Sequence, residues 1–180
     1  MRGYTLIEAV LVILIVSILA AFVAPVLSTA VSSYDVTTRN IEVMTKMRYA
    51  MERMAREIRQ VRRDPVNSAE YDIASMTATN FQFCKADNTR VRINYTSPNV
   101  GLAYTAGFTS TCTPAAVATQ VLTDQVTSPP ANPFTFTYRL ANGNPGATRA
   151  NVAFVDIDMT ITGTGTGAYT NTMRVDLRVP

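Results

Sequence analysis

The chain has 180 residues, a net charge of +3, two cysteines, no histidine and no tryptophan. Lacking histidine, it has no Ser-His or Cys-His catalytic pair and no histidine metal ligand. One globular domain of ordinary size fits beside any terminal segment, and an even cysteine count in an exported chain fits one disulfide.

The first element is apolar. After Met1-Arg2-Gly3-Tyr4-Thr5-Leu6-Ile7-Glu8, only Ser17 and Pro25 interrupt an apolar run from Ala9 to Leu27. As a helix, residues 4–27 reach about 36 Å at ~1.5 Å per residue. A bilayer core is about 30 Å thick, so the segment can cross it. Glu8 is out of place there, because a charge deep in a span costs roughly 2.5–3.5 kcal/mol. No basic residue lies between Arg2 and Arg39 to pair with it. Cleavage after Gly3 would supply a cation, the free amine of Tyr4, protonated below a pKa of about 7.7–8. An uncleaved anchor and a secretory signal cut at Ser28-Thr29-Ala30 are the plainer alternatives. A secretory core, however, is usually shorter and rarely begins with a buried acid.

A charged leader ending in Gly, then an aromatic, Thr-Leu-Ile and Glu at the fifth position, resembles the cleavage and methylation motif of type IV pilins and type II secretion pseudopilins. Tyr4 departs mildly from the commoner Phe. The resemblance implies cutting between Gly3 and Tyr4 by a prepilin peptidase and N-methylation of Tyr4. It also implies that Glu8 pairs with the Tyr4 amine of a neighbouring subunit during assembly.

Residues 39–63 carry eight basic against three acidic residues, a local charge of +5. Ile41, Met44, Met47, Met51, Met54, Ile58 and Val61 recur at helical spacing, which predicts an amphipathic continuation of the first helix. Glu42–Lys46, Glu52–Arg56 and Arg53–Glu57 are i,i+4 ion pairs. Arg59, Arg62 and Arg63 suit a last turn, and Pro65 ends it, so one helix is expected from Tyr4 to Arg63 with Pro25 as its kink. The methionine stripe is expected to lie on the chain's own domain, with a surface for several partners as the alternative. The basic face reads as solvated; nucleic acid is an improbable partner, because a single aromatic, Tyr49, interleaves with the arginines.

Beyond Pro65 the period changes to two. Phe81–Cys84 and Val91–Tyr95 alternate around a turn at 85–89. Residues 96–133 are weakly patterned, with a short strand at Val100–Tyr104 and a helical turn at Leu122–Val126 expected. Three further alternating sets follow, at Phe134–Tyr138, Val155–Ile161 and Met173–Val179. The last two should pair through Gly163–Gly167, with acids opposite bases. Cys84 and Cys112 are expected to bridge. Asp156 and Asp158 share a strand face, but solvated carboxylates are a commoner arrangement than a calcium site. Gly163–Gly167 lacks the lysine and context of a phosphate loop.

The expected fold is therefore α+β: a long N-terminal helix, half membrane-spanning and half amphipathic, on an antiparallel sheet of four to six strands. The expected segments are a leader at 1–3, a span at 4–27, an amphipathic helix at 28–64 and a β-rich region at 65–180. That is also the pilin architecture. Met51–Arg59, Leu122–Val126, Val152–Ile161 and Val175–Arg178 are similar to J-type pseudopilins and minor pilins of the mannose-sensitive haemagglutinin type. The resemblance implies a non-enzymatic filament subunit without cofactor or metal. Its partners would be the prepilin peptidase, major and minor pilins, the assembly platform and, before assembly, inner-membrane lipid. A secretion pseudopilin and an anchored domain that never polymerises are the alternatives.

Overall fold

The computed structural model describes residues 5–107, 112, 120–124, 126, 132–163 and 167–177. Helix α1 runs from Leu6 to Ile58. It crosses the division between two compact units, 1–41 and 42–180. In the first unit every described side chain except Asn40 is exposed.

The second unit is the folded region. Val43, Met47, Ala50, Met51, Met54, Ala55 and Ile58 bury one face of α1, so the methionine stripe is a core seam. Ile41 and Met44, at its beginning, stay exposed. The expected Glu42–Lys46 and Arg53–Glu57 pairs form, at 2.9 and 3.2 Å.

The helix stops five residues before the expected end. Gln60 N–H donates to Glu57 O and Val61 N–H to Ile58 O, which tightens the final turn. The chain then extends: Val61 bridges Lys85, Arg62 N–H donates to Cys84 O, and Asp72 N–H donates to Arg62 O. Pairing with neighbouring strands outweighs the modest preference of arginines for a helix C-terminus.

Two antiparallel sheets follow. The first contains β1 (Ile73–Met76), β2 (Asn80–Cys84), β3 (Arg90–Thr96), β4 (Asn99–Thr105) and β5 (Gln120–Thr123), in sequence order. The second contains β6 (Phe134–Arg139), β7 (Phe154–Thr162) and β8 (Ala168–Asp176), also in order. The α+β class is as expected, but the strands divide into a five-stranded and a three-stranded sheet. The expected β2–β3 turn holds Asn88 at φ 60°, the left-handed region that asparagine tolerates.

Two local readings are corrected. β1 has no counterpart among the expected strands; four residues carry too little alternation to announce themselves. Residues 120–123, part of which was expected as a helical turn at 122–126, are strand β5 on the edge of β4. A four-residue helix leaves nucleation uncompensated, whereas the β4 edge offers ready hydrogen bonds.

The core joins the stripe to both sheets: Phe81, Phe83, Val91, Ile93, Phe134, Phe136, Val155, Ile157 and Met159 all belong to it. Phe134 and Phe136 meet edge-on with ring centroids 4.9 Å apart. Each such side chain contributes about 1.5–3 kcal/mol on leaving water.

Candidate functional site: the apolar helix, its acid and the buried ion clusters

The first unit shows what the apolar run does locally. Glu8 lies in the first turn of α1, where Glu8 N–H and Ala9 N–H donate to Thr5 O at 3.1 and 3.3 Å. A carboxylate there is favoured by the positive end of the helix dipole. From Leu6 to Leu27 the large apolar side chains are exposed, none less than 47%. The helix holds a window of mean hydropathy 3.1, long and apolar enough to cross a membrane. Its stray hydroxyls are satisfied internally: Ser17 donates to Ile13 O and Thr29 to Pro25 O, at 2.7 and 2.9 Å. That suits a surrounding with no water to bond. The helix is continuous through Pro25, so no local break occurs there. Gly3 and Tyr4 lie outside the described residues.

The disulfide forms. Cys84 ends β2 and is bonded to Cys112 with a Cα–Cα distance of 5.7 Å, and both are buried. Closing this loop constrains the unfolded chain by about 3.5 kcal/mol in the chain-entropy view. Asp72, 1% exposed, sits beside it. Its Oδ1 accepts from Cys112 N–H at 2.7 Å, while Arg62 Nε and Nη2 reach Oδ2, each at 2.8 Å. Arg62 also donates to Asn88 Oδ1. Arg90, 1% exposed, lies in the field of the same carboxylate. Burial pulls its guanidinium below its ordinary pKa, and Asp72 opposes that shift.

Glu57 anchors a second cluster. It is 3% exposed on the α1 flank, with Arg53 at 3.2 Å and Lys85 at 3.3 Å. Tyr104 OH donates to Glu57 Oε1 at 2.8 Å and accepts from Arg53 Nη2 at 2.7 Å. Burial first, and the bond to Glu57 second, push the Tyr104 phenol above its ordinary pKa. These contacts clamp the end of α1 onto β4 and the β2–β3 turn.

Asp156 and Asp158 share a face of β7, as expected. Asp156 is committed to two guanidiniums: Arg174 Nε and Nη2 at 2.7 and 3.1 Å, and Arg139 Nε at 2.5 Å. The Arg174 bonds first, then Arg139, hold its carboxyl below the usual range despite burial. Asp158 accepts from Thr172 OH at 2.6 Å. Asp156 faces Arg174 in register, which is the expected opposition of acid and base.

The sequence therefore marks Glu8, Cys84, Cys112, Asp156 and Asp158, but misses the buried ions Asp72, Arg90 and Glu57. Asp72 carries one signal, its place between Tyr71 and Ile73 in a short apolar triplet. Glu57 reads as an ordinary member of an i,i+4 pair. No group of three His, Cys, Asp or Glu side chains placed to share a metal ion occurs among the described residues. Every buried ion described above already has protein partners, which is the signature of structural clusters.

No protein-family model, curated protein or solved structure matches this chain.

Proposed function

We propose that this chain is a minor type IV pilin, a non-enzymatic subunit anchored in the bacterial inner membrane until it enters a filament. In this reading a prepilin peptidase removes residues 1–3 and Tyr4 is N-methylated. The N-terminus lies in the cytoplasm and the disulfide-bonded region in the periplasm. The chain then helps to initiate or tip the pilus with other minor pilins and the major pilin on an assembly platform. Within the group, it resembles the O component of mannose-sensitive haemagglutinin biogenesis.

One observation carries the reading. From Leu6 to Leu27, the stretch of α1 apolar enough for a bilayer, the large apolar side chains are all exposed, yet the first turn carries a carboxylate, Glu8. An anchor needs the apolar surface, and the helix dipole repays the acid only in part. A subunit that leaves lipid for a bundle of like helices uses both, because Glu8 can receive the amine of the next Tyr4. Arg2 before the span and an uncharged 28–34 after it favour this orientation.

The test is Glu8→Val. Membrane insertion should be intact or improved, while the amount in sheared pili falls at least ~10-fold, the loss of about 1.4 kcal/mol of assembly energy. Mass spectrometry of the wild-type N-terminal peptide should find a methylated Tyr4 start. A start at Met1 or Val31, or normal incorporation of the valine variant, refutes the reading. Absence from every filament would favour an anchored domain.

A further inference from the structure

Three separate stretches of the chain meet at Asp72. Its N–H donates to Arg62 O at 2.9 Å, just beyond the end of α1. Its carbonyl accepts from Cys84 N–H at 3.0 Å, at the end of β2. Its carboxylate accepts from Cys112 N–H at 2.7 Å. One residue therefore holds the backbone of both cysteines, one through its main chain and the other through its side chain.

The carboxylate is aimed as well as buried. Oδ2 lies in the fork of Arg62 Nε and Nη2, each at 2.8 Å, and Oδ1 is turned to Cys112. Arg62 is fixed in its turn, because its N–H donates to Cys84 O at 3.0 Å and its Nη1 donates to Asn88 Oδ1. None of these bonds involves a sulfur atom, so none of them depends on the disulfide. A carboxylate acceptor also holds an N–H more strongly than a neutral one. A buried ion pair is weak evidence for stability, since apolar residues of similar volume often serve as well. An apolar residue at 72 could not hold Cys112 N–H beside the strand that carries Cys84.

We propose that Asp72 is a positioning residue for formation of the Cys84–Cys112 bond, its carboxylate docking Cys112 beside Cys84 in the folded, still reduced chain. The two cysteines are 28 residues apart, and bringing them together from a free chain costs loop entropy. Docking removes that cost from the bonding step and raises the effective concentration of one thiol at the other. The oxidant is a small or protein disulfide. One cysteine thiolate attacks it, forming a mixed disulfide and expelling one thiolate. The other cysteine thiolate attacks the cysteine sulfur of that mixed disulfide and expels the second. Two electrons pass to the oxidant, and the protons lost by the two cysteines end on its two thiols. With the second cysteine docked, the last step outruns a bridge between two copies.

The experiment equilibrates the full chain, in detergent micelles, with mixtures of reduced and oxidised glutathione. Acid trapping and mass spectrometry count bridged and reduced chains, which gives the effective concentration of the thiols; circular dichroism monitors the fold of each form. Asp72→Asn should lower the effective concentration at least ~5-fold, because the acceptor loses its charge. Met51→Ala, a core substitution on α1, should leave it within about 2-fold while the reduced chain stays folded. In the reduced wild-type chain the Cys112 amide should exchange hydrogen at least ~5-fold more slowly than in reduced Asp72→Asn. The proposal is overturned by an effective concentration that Asp72→Asn leaves unchanged, or that Met51→Ala lowers equally. Free exchange of the Cys112 amide in the reduced wild-type chain overturns it as well. So does a reduced wild-type chain that has lost its strand signal, because the carboxylate then holds Cys112 only after the bond has formed.

Discussion

Removing the carboxylate of Asp72 is the most direct test of what holds the folded region together. Asp72→Ala removes the ion-pair partner of Arg62, whose side chain is 12% exposed, and a carboxylate whose field favours the charge of the buried Arg90. It also removes the acceptor for Cys112 N–H. Taking one partner from a buried ion pair costs about 3–5 kcal/mol, because the charge left behind stays desolvated. The lost acceptor belongs to the same cluster, so its cost overlaps with that figure.

We expect a loss of ~4 kcal/mol, a large share of the ordinary stability of a domain. At about 2–4 °C per kcal/mol for a domain of this size, Tm should fall by about 8–16 °C. Asp72→Asn keeps the shape and one acceptor but not the charge, and should lose about half as much. Urea and thermal unfolding followed by circular dichroism, with the disulfide intact, measure both. In an Arg62→Met background Asp72→Ala should cost visibly less, since part of the stranded charge is gone. A loss under ~1 kcal/mol for Asp72→Ala would mean that water or a rearranged loop replaces the carboxylate, and the argument from burial would fail.

Two further outcomes separate the faces and the ions of the domain. Met51→Ala, at a fully buried position, should cost about 2–5 kcal/mol, whereas Met44→Ala, at 43% exposure, should stay within about 0.5 kcal/mol; similar losses would mean the stripe is not a core seam. Asp156 has a depressed folded pKa, so its contribution is fully present above the unfolded aspartate value of about 3.9 and is lost as pH falls through the lower folded value. Asp156→Asn should flatten the acid limb of the stability–pH curve below about pH 4, and an unchanged limb would refute the assignment.

Periodicity made the helix, five of the strands and the stripe legible, because burial on one face leaves a repeat in the chain. What escaped has a common cause. β1 and β5 are four residues each, too short for a repeat, and exist because a neighbouring strand presents an open edge. The helix end moved from Arg63 to Ile58 for the same reason, since residues 61–63 found strand partners. Asp72, Glu57 and Arg90 were hidden because a charge in a sequence looks solvated until the fold supplies its partner. The Arg174–Asp156 opposition was legible because both members sit on regular strands whose pairing fixes the register.

The helix has an exposed apolar half and a half that joins the core, and the boundary between them has a measurable consequence. Of the described residues before Val43, not one side chain is buried, and the core begins with Val43 and Met47. Cutting the chain before Ser28 therefore removes apolar surface that no other part of the domain covers, and none of the core. Burial stabilises only what it removes from water, so the fragment 28–180 should lose no folding energy while shedding the surface that drives aggregation. Residues 28–41 remain as an exposed helical start, where marginal helicity is expected and fraying is local. We expect this fragment to be soluble, with one cooperative unfolding transition and helix and strand signals in circular dichroism. It should be monomeric by light scattering at micromolar concentrations. A molten or aggregated product would show that Met47, Met51 and Met54 need neighbouring helices to cover them, and that the domain folds only in company.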